Sequence, residues 1–136
     1  MLISIEVNVN APLTDVWDAW VTPSDITKWN FSTDDWQCPK ADTNFEVGGK
    51  FSYRMEAKDG SVGFDFSGVF TKITPNKSIQ YQLDDNRRVT IDFIETPTGV
   101  KVVESFEADN ENAAEQQKQG WQSILNNFKK HVERNS

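Results

Sequence analysis

The chain has 136 residues, 12% of them aromatic, with a formal net charge of −7 and a pI near 4.6. That length fits one domain burying roughly 68–70% of its unfolded surface. The acidity argues against a nucleic-acid partner, since a phosphate-backbone binder needs clustered positive surface and the only paired basic residues are Arg87-Arg88 and Lys129-Lys130.

Ile3, Ile5, Val7 and Val9 alternate with polar residues, which predicts a strand with one buried face. Asn10 is placed to cap the helix that follows, with Pro12 in its first turn. Leu13, Val16, Trp17 and Trp20 keep helical spacing until Pro23, and Ser24 can cap a short second helix reaching Trp29. Residues 30–49 are irregular, with a short strand expected near Trp36–Cys38 or Asn44–Val47. Gly48-Gly49 suits a tight bend or bulge.

From Lys50 the strand signal is plain. KFSYRMEA sets Phe51, Tyr53 and Met55 on one face and Ser52, Arg54 and Glu56 on the other. Asp59-Gly60 is a hairpin turn. VGFDFSGVFTKI places Val62, Phe64, Phe66 and Phe70 on one face, which Gly68 would keep open. SIQYQL, RVTIDFIE and GVKVVESFEA follow, separated by turns at residues 84–87 and 96–99. A final helix is expected from about residue 111. The sheet is therefore mostly an antiparallel meander with one apolar face, which the last helix must cover.

On that helix Trp121, Ile124, Leu125, Phe128 and Val132 form a buried stripe. Extended backwards, the stripe meets Gln117, Ala114 and Ala113, with Gly120 at its edge. Glycine costs a helix interior about 1 kcal/mol relative to alanine. It either admits close backbone approach or, with Gln117 and the alanines, lines a cavity.

The opening Ile/Val strand, NAPLTDVWDAWVTPSDITKW, VGGKFSYRMEAKDG, GVFTKITPNKSIQY and the terminal GW helix occur in an order that resembles the START-like, helix-grip (SRPBCC) superfamily. Within it, the chain is similar to the family named after activators of the heat-shock protein 90 ATPase, in its short single-domain form. The resemblance covers nearly the whole chain. It implies an α+β helix-grip fold: a curved antiparallel sheet of six or seven strands around a long C-terminal helix, with two short helices after strand 1. It also implies a hydrophobic cavity between sheet and helix. Members of the superfamily bind lipids, sterols, polyketides and plant hormones, and some are cyclases. The eukaryotic activators carry in addition a separate chaperone-binding domain, for which these residues offer no counterpart.

No catalytic set is evident. His131, the only histidine, reads as a partly solvated helix residue, and one His with one Cys cannot supply a Cys/His metal site. Cys38 is expected to be inert, because a reactive thiol needs a positive neighbourhood. Asp34, Asp35, Asp84, Asp85 and Glu111 read as turn and cap residues. Arg54, Glu56, Asp65 and Asp92 suit cross-strand pairs on the solvated face. Glu104 shares its parity with Val102 and Phe106, which turns it inward unless the last strand contains a bulge. A buried carboxyl would have a raised pKa and could serve as an acid or base.

The expected cavity wall is Trp20, Trp29, Trp36, Phe51, Tyr53, Met55, Phe66, Tyr81, Phe93, Gln117 and Trp121, with Tyr53, Tyr81 and Gln117 orienting the polar atoms of a ligand. An aromatic wall suits a small, flat, apolar molecule. The resulting expectation is a non-catalytic binding protein without cofactor or metal. A polyketide cyclase-like enzyme and a chaperone ATPase co-regulator are the alternatives. A second copy of the chain and a chaperone are the candidate protein partners. A cytoplasmic location is expected from the single cysteine, from an N-terminus without a secretory pattern and from the lack of any apolar run of about 18 residues.

Overall fold

The period-two patterns become the strands of one seven-stranded antiparallel sheet in the computed structural model. The structure describes residues 2–108 and 113–135. In chain order the elements are β1 (Leu2–Val9), α1 (Leu13–Val21), α2 (Pro23–Trp29), β2 (Trp36–Thr43), β3 (Lys50–Ala57), β4 (Gly63–Thr74), β5 (Ser78–Leu83), β6 (Arg88–Thr96), β7 (Gly99–Glu107) and α3 (Ala114–Arg134). Their order across the sheet is β1-β7-β6-β5-β4-β3-β2. Strands β2 to β7 are joined in sequence, while α1 and α2 carry the chain from β1 at one edge to β2 at the other. The sheet curls into a half-barrel around α3, the helix-grip arrangement.

Antiparallel register aligns the inner-face residues in rows. One row runs Ile5, Glu104, Ile91, Ile79, Ile73, and its neighbour runs Ile3, Phe106, Val89, Tyr81, Phe70. Strand β7 alternates without interruption, so Val100, Val102, Glu104 and Phe106 all point inward and are buried. A carboxyl group therefore stands in a row of isoleucines.

The C-terminal half of α3 is held firmly. Leu125, Phe128 and Val132 are buried against the sheet and the short helices, each burial contributing about 1.5–3 kcal/mol. Phe128 meets Trp20 and Trp29 edge-on, at 4.8 and 4.9 Å between ring centres. Lys129 Nζ donates to the Asn8 carbonyl at 2.6 Å, and Glu133 accepts the Asn10 backbone N–H at 2.8 Å. The Asn127 amide donates to the Phe31 carbonyl.

Several local expectations differ from the structure. Asn10 caps no helix; its N–H goes to Glu133, and Pro12 occupies the N-cap position of α1. Thr22, not Ser24, precedes α2, because Pro23 fits the first helical position with its fixed φ and missing N–H. The irregular segment yields a full eight-residue strand, β2, with a bulge between Gln37 and Lys40 where Pro39 cannot donate. No strand forms over Asn44–Val47, and Val62 lies outside β4, 55% exposed. Gly68 does not keep its face open: a Cβ there would meet Gln82 O at 2.5 Å and the Phe51 ring at 3.0 Å, so glycine is what lets Phe51 lie across the sheet. His131 is buried rather than solvated, with Nε2 2.9 Å from Asp25 Oδ1, tying α3 to α2. The expected helix start near residue 111 and the cap role of Glu111 fall outside the described residues. Among the described residues, no helix is long and apolar enough to cross a membrane.

Candidate functional site: a cavity under the terminal helix

The two ends of α3 meet the sheet differently. Its C-terminal half packs down beside β1, whereas Trp121 and Ile124 roof a cavity over β3, β4 and β5. Trp121 lies flat on Phe106 (4.0 Å between centroids, 11° between planes) and meets the edge of Phe66 at 5.7 Å. Trp20, Val21, Trp29 and Asn30 close the side formed by the short helices. The sheet contributes Thr43, Tyr53, Met55, Phe64, Phe66, Phe70, Ile79, Tyr81 and Glu104, and Phe45 comes from the loop after β2. The space is about 110 Å³. A cavity of ~150 Å³ accepts benzene, so this one has the scale of a single ring.

Polar groups are few and converge. The Trp29 indole N–H is satisfied by the Ala19 carbonyl at 3.0 Å. Glu104 is 6% exposed and accepts no hydrogen bond from any described residue. Burial alone pushes its carboxyl up to about 8, because charge is costly away from water. Glu104 is thus mostly protonated at neutral pH. Burial raises the Tyr81 phenol well above its ordinary value, and the nearby Glu104 raises it further. Tyr53 is also raised by burial. The Thr43 hydroxyl offsets a little of that rise through its proximity, yet it meets no partner at hydrogen-bond geometry. Among the described residues, no Lys, Arg or His lines the space. Among the described residues, no group of His, Cys, Asp and Glu is arranged to hold a metal ion.

The family described as activator of Hsp90 ATPase homolog 1-like protein matches residues 10–133. The chain belongs to that family. It is 41% identical to the AHSA1-like protein from Aeromonas hydrophila, covering 99% of this chain and 94% of that one, with a TM-score of 0.93. A protein from Cytophaga hutchinsonii is also 41% identical, over 98% of this chain and 92% of that chain, with a TM-score of 0.83. A third structure, from Chromobacterium violaceum, shares the fold at 23% identity, with 98% of each chain covered and a TM-score of 0.87. No curated protein matches. The AHSA1-like proteins belong to the SRPBCC, START-like superfamily, and a helix-grip fold of this kind suits ligand binding.

In this AHSA1-like chain the residues expected at the cavity wall separate into two groups. Trp20, Trp29, Tyr53, Met55, Phe66, Tyr81 and Trp121 come together around the space. Phe51 lies behind the wall, packed on Tyr53, Phe70 and Tyr81 with ring centres 4.9–5.1 Å apart. Phe93 belongs to the core under α1, 5.1 Å from Trp17. Trp36 meets Phe64 at a tilt, 6.1 Å between ring centres and outside the lining, and Gln117 is also outside it. Gly120 neither lines the cavity nor admits close backbone approach, since a Cβ there meets no described atom within 4 Å. Phe64, Phe70 and Ile79 also line the space and share strand parity with Phe66 and Tyr81, so the sequence pattern places them on the same face. Asn30 and Phe45 sit in the aperiodic segment and carried no signal. Cys38 is buried, and burial pushes its thiol up to about 11.

Proposed function

We propose that this protein binds a small, flat, largely apolar molecule in the cavity between sheet and α3, without catalysing its conversion. The observation that carries this reading is an aromatic enclosure containing a buried carboxyl that no described residue satisfies. Native proteins rarely leave a buried polar group without a partner, and a ligand is a ready explanation for one that faces a cavity. The volume favours a ligand of about one ring over a sterol or a long acyl chain. The cytoplasm is the proposed location, consistent with a free, buried Cys38.

The test is intrinsic tryptophan fluorescence, because Trp20, Trp29 and Trp121 all line the space. Titration with single-ring aromatics, fatty acids and sterols should give saturable quenching by the small aromatics, with a matching rise in melting temperature. No response to any class would remove the reading. A second reading, acid–base catalysis of the polyketide-cyclase kind, is favoured by Glu104 standing inward beside Tyr81 with a proton available near neutral pH. Turnover of a bound ligand that disappears in Glu104→Gln would establish it. The family name points to a third role, assisting a chaperone ATPase, which stimulation of Hsp90 ATPase activity by the purified chain would support.

A further inference from the structure

We infer that the ligand is cationic: a small aromatic or alicyclic amine whose ammonium group pairs with Glu104. This deepens the binding reading above and rests on it. The groups that line the cavity favour a positive ligand, and the one positive charge among the described residues felt there, that of Arg87, acts on Tyr81 from outside the lining. The cavity's rings include Trp20, Trp29, Phe66, Tyr81 and Trp121, and aromatic faces attract cations through their quadrupole. Among the described lining residues, the only ionisable groups are one carboxyl and two phenols, Glu104 of β7, Tyr81 of β5 and Tyr53 of β3. The short helices and α3 contribute only neutral side chains to the lining. The whole chain carries a net charge of −7, which draws cations toward it.

The three ligand charges have different consequences. An anion would meet a carboxyl and the negative faces of rings, with no positive partner among the described lining residues. A neutral apolar molecule would leave Glu104 unsatisfied. An ammonium group supplies both donors and charge, and a desolvated carboxylate with a paired cation is the arrangement that a low-dielectric site tolerates. Binding then drives Glu104 from its protonated to its ionised form. The proton leaves to solvent, and the ammonium takes its place as the carboxyl's partner.

The experiment uses the full chain and four probes of one shape: benzylamine, benzyl alcohol, benzamide and benzoate, followed by tryptophan fluorescence and titration calorimetry. At pH 7 benzylamine should bind at least tenfold more tightly than either neutral probe, with benzoate not binding. In buffers of different ionisation enthalpy, wild-type protein should release close to one proton per benzylamine bound, and affinity should rise up to tenfold per pH unit from pH 6 to pH 8. Proton release needs no variant, so it stands even if a substitution disturbs folding. In Glu104→Gln, with folding confirmed by circular dichroism, the preference for benzylamine should collapse to about onefold while benzyl alcohol still binds. If the neutral probes bind as tightly as the amine in wild-type protein, or if Glu104→Gln keeps the amine preference, the cation inference falls and the cavity reading survives. If none of the four binds, both fall.

Discussion

Replacing Glu104 by Gln tests the inner-face row directly, because glutamine keeps the shape of a protonated glutamate and removes the titration. In the unfolded chain this carboxyl has its ordinary value of 4.5, and in the folded chain burial raises it to about 8. The folded state therefore holds a proton that the unfolded state releases between those two values. Stability from this group is fully present below pH 4.5 and is lost as pH rises toward 8, at about 1.4 kcal/mol per pH unit. By pH 7 the wild-type protein has forfeited roughly 3 kcal/mol relative to acid conditions, a large share of a typical domain stability of about 5–15 kcal/mol. Glu104→Gln should then match wild type near pH 4.5 and exceed it by roughly 3 kcal/mol at pH 7. Urea denaturation of both proteins in steps from pH 5 to pH 8 measures the difference, and subtracting the two curves cancels every other titrating group. A difference that stays flat across that range would mean that Glu104 is ionised and solvated in the folded protein, and the inward row would be wrong.

Two further outcomes follow from the helices. Gly120→Ala should stabilise the protein by about 0.5–1 kcal/mol in urea melts, because the new methyl group meets no described atom within 4 Å and alanine is the better helix former; destabilisation would reveal a contact that the backbone geometry does not contain. Asp25→Ala should cost about 1–2 kcal/mol by leaving the buried His131 ring without its 2.9 Å partner, with Asp25→Asn recovering most of the loss. Equal stability of both variants with wild type would place the α2–α3 tie outside the energetics of folding.

Strand parity and turn chemistry made most of the sheet legible in the sequence, since side-chain direction in a strand follows from period two alone. That is why Tyr53, Met55, Phe66 and Tyr81 could be assigned to one face, and why an inward Glu104 followed once β7 proved free of bulges. Parity names the face but not the distance to the helix. Phe51 and Phe93 share the inner face with Tyr81, yet one is covered by its own neighbours and the other by α1.

The sequence also marked α3 as heavy at one end and light at the other, but gave the wrong reason for Gly120. A helical pattern fixes which residues share a stripe, not how far each stands from the sheet. Only the tertiary structure decided that. By anchoring the C-terminal half through Phe128, Lys129, His131 and Glu133, it left Trp121 and Ile124 to roof the remaining space. The carboxyl's environment has the same origin. Glu104 is an ordinary strand residue in its own segment, and it becomes a buried acid, without a partner among the described residues, only because antiparallel register sets it between Ile5 and Ile91 beneath the terminal helix.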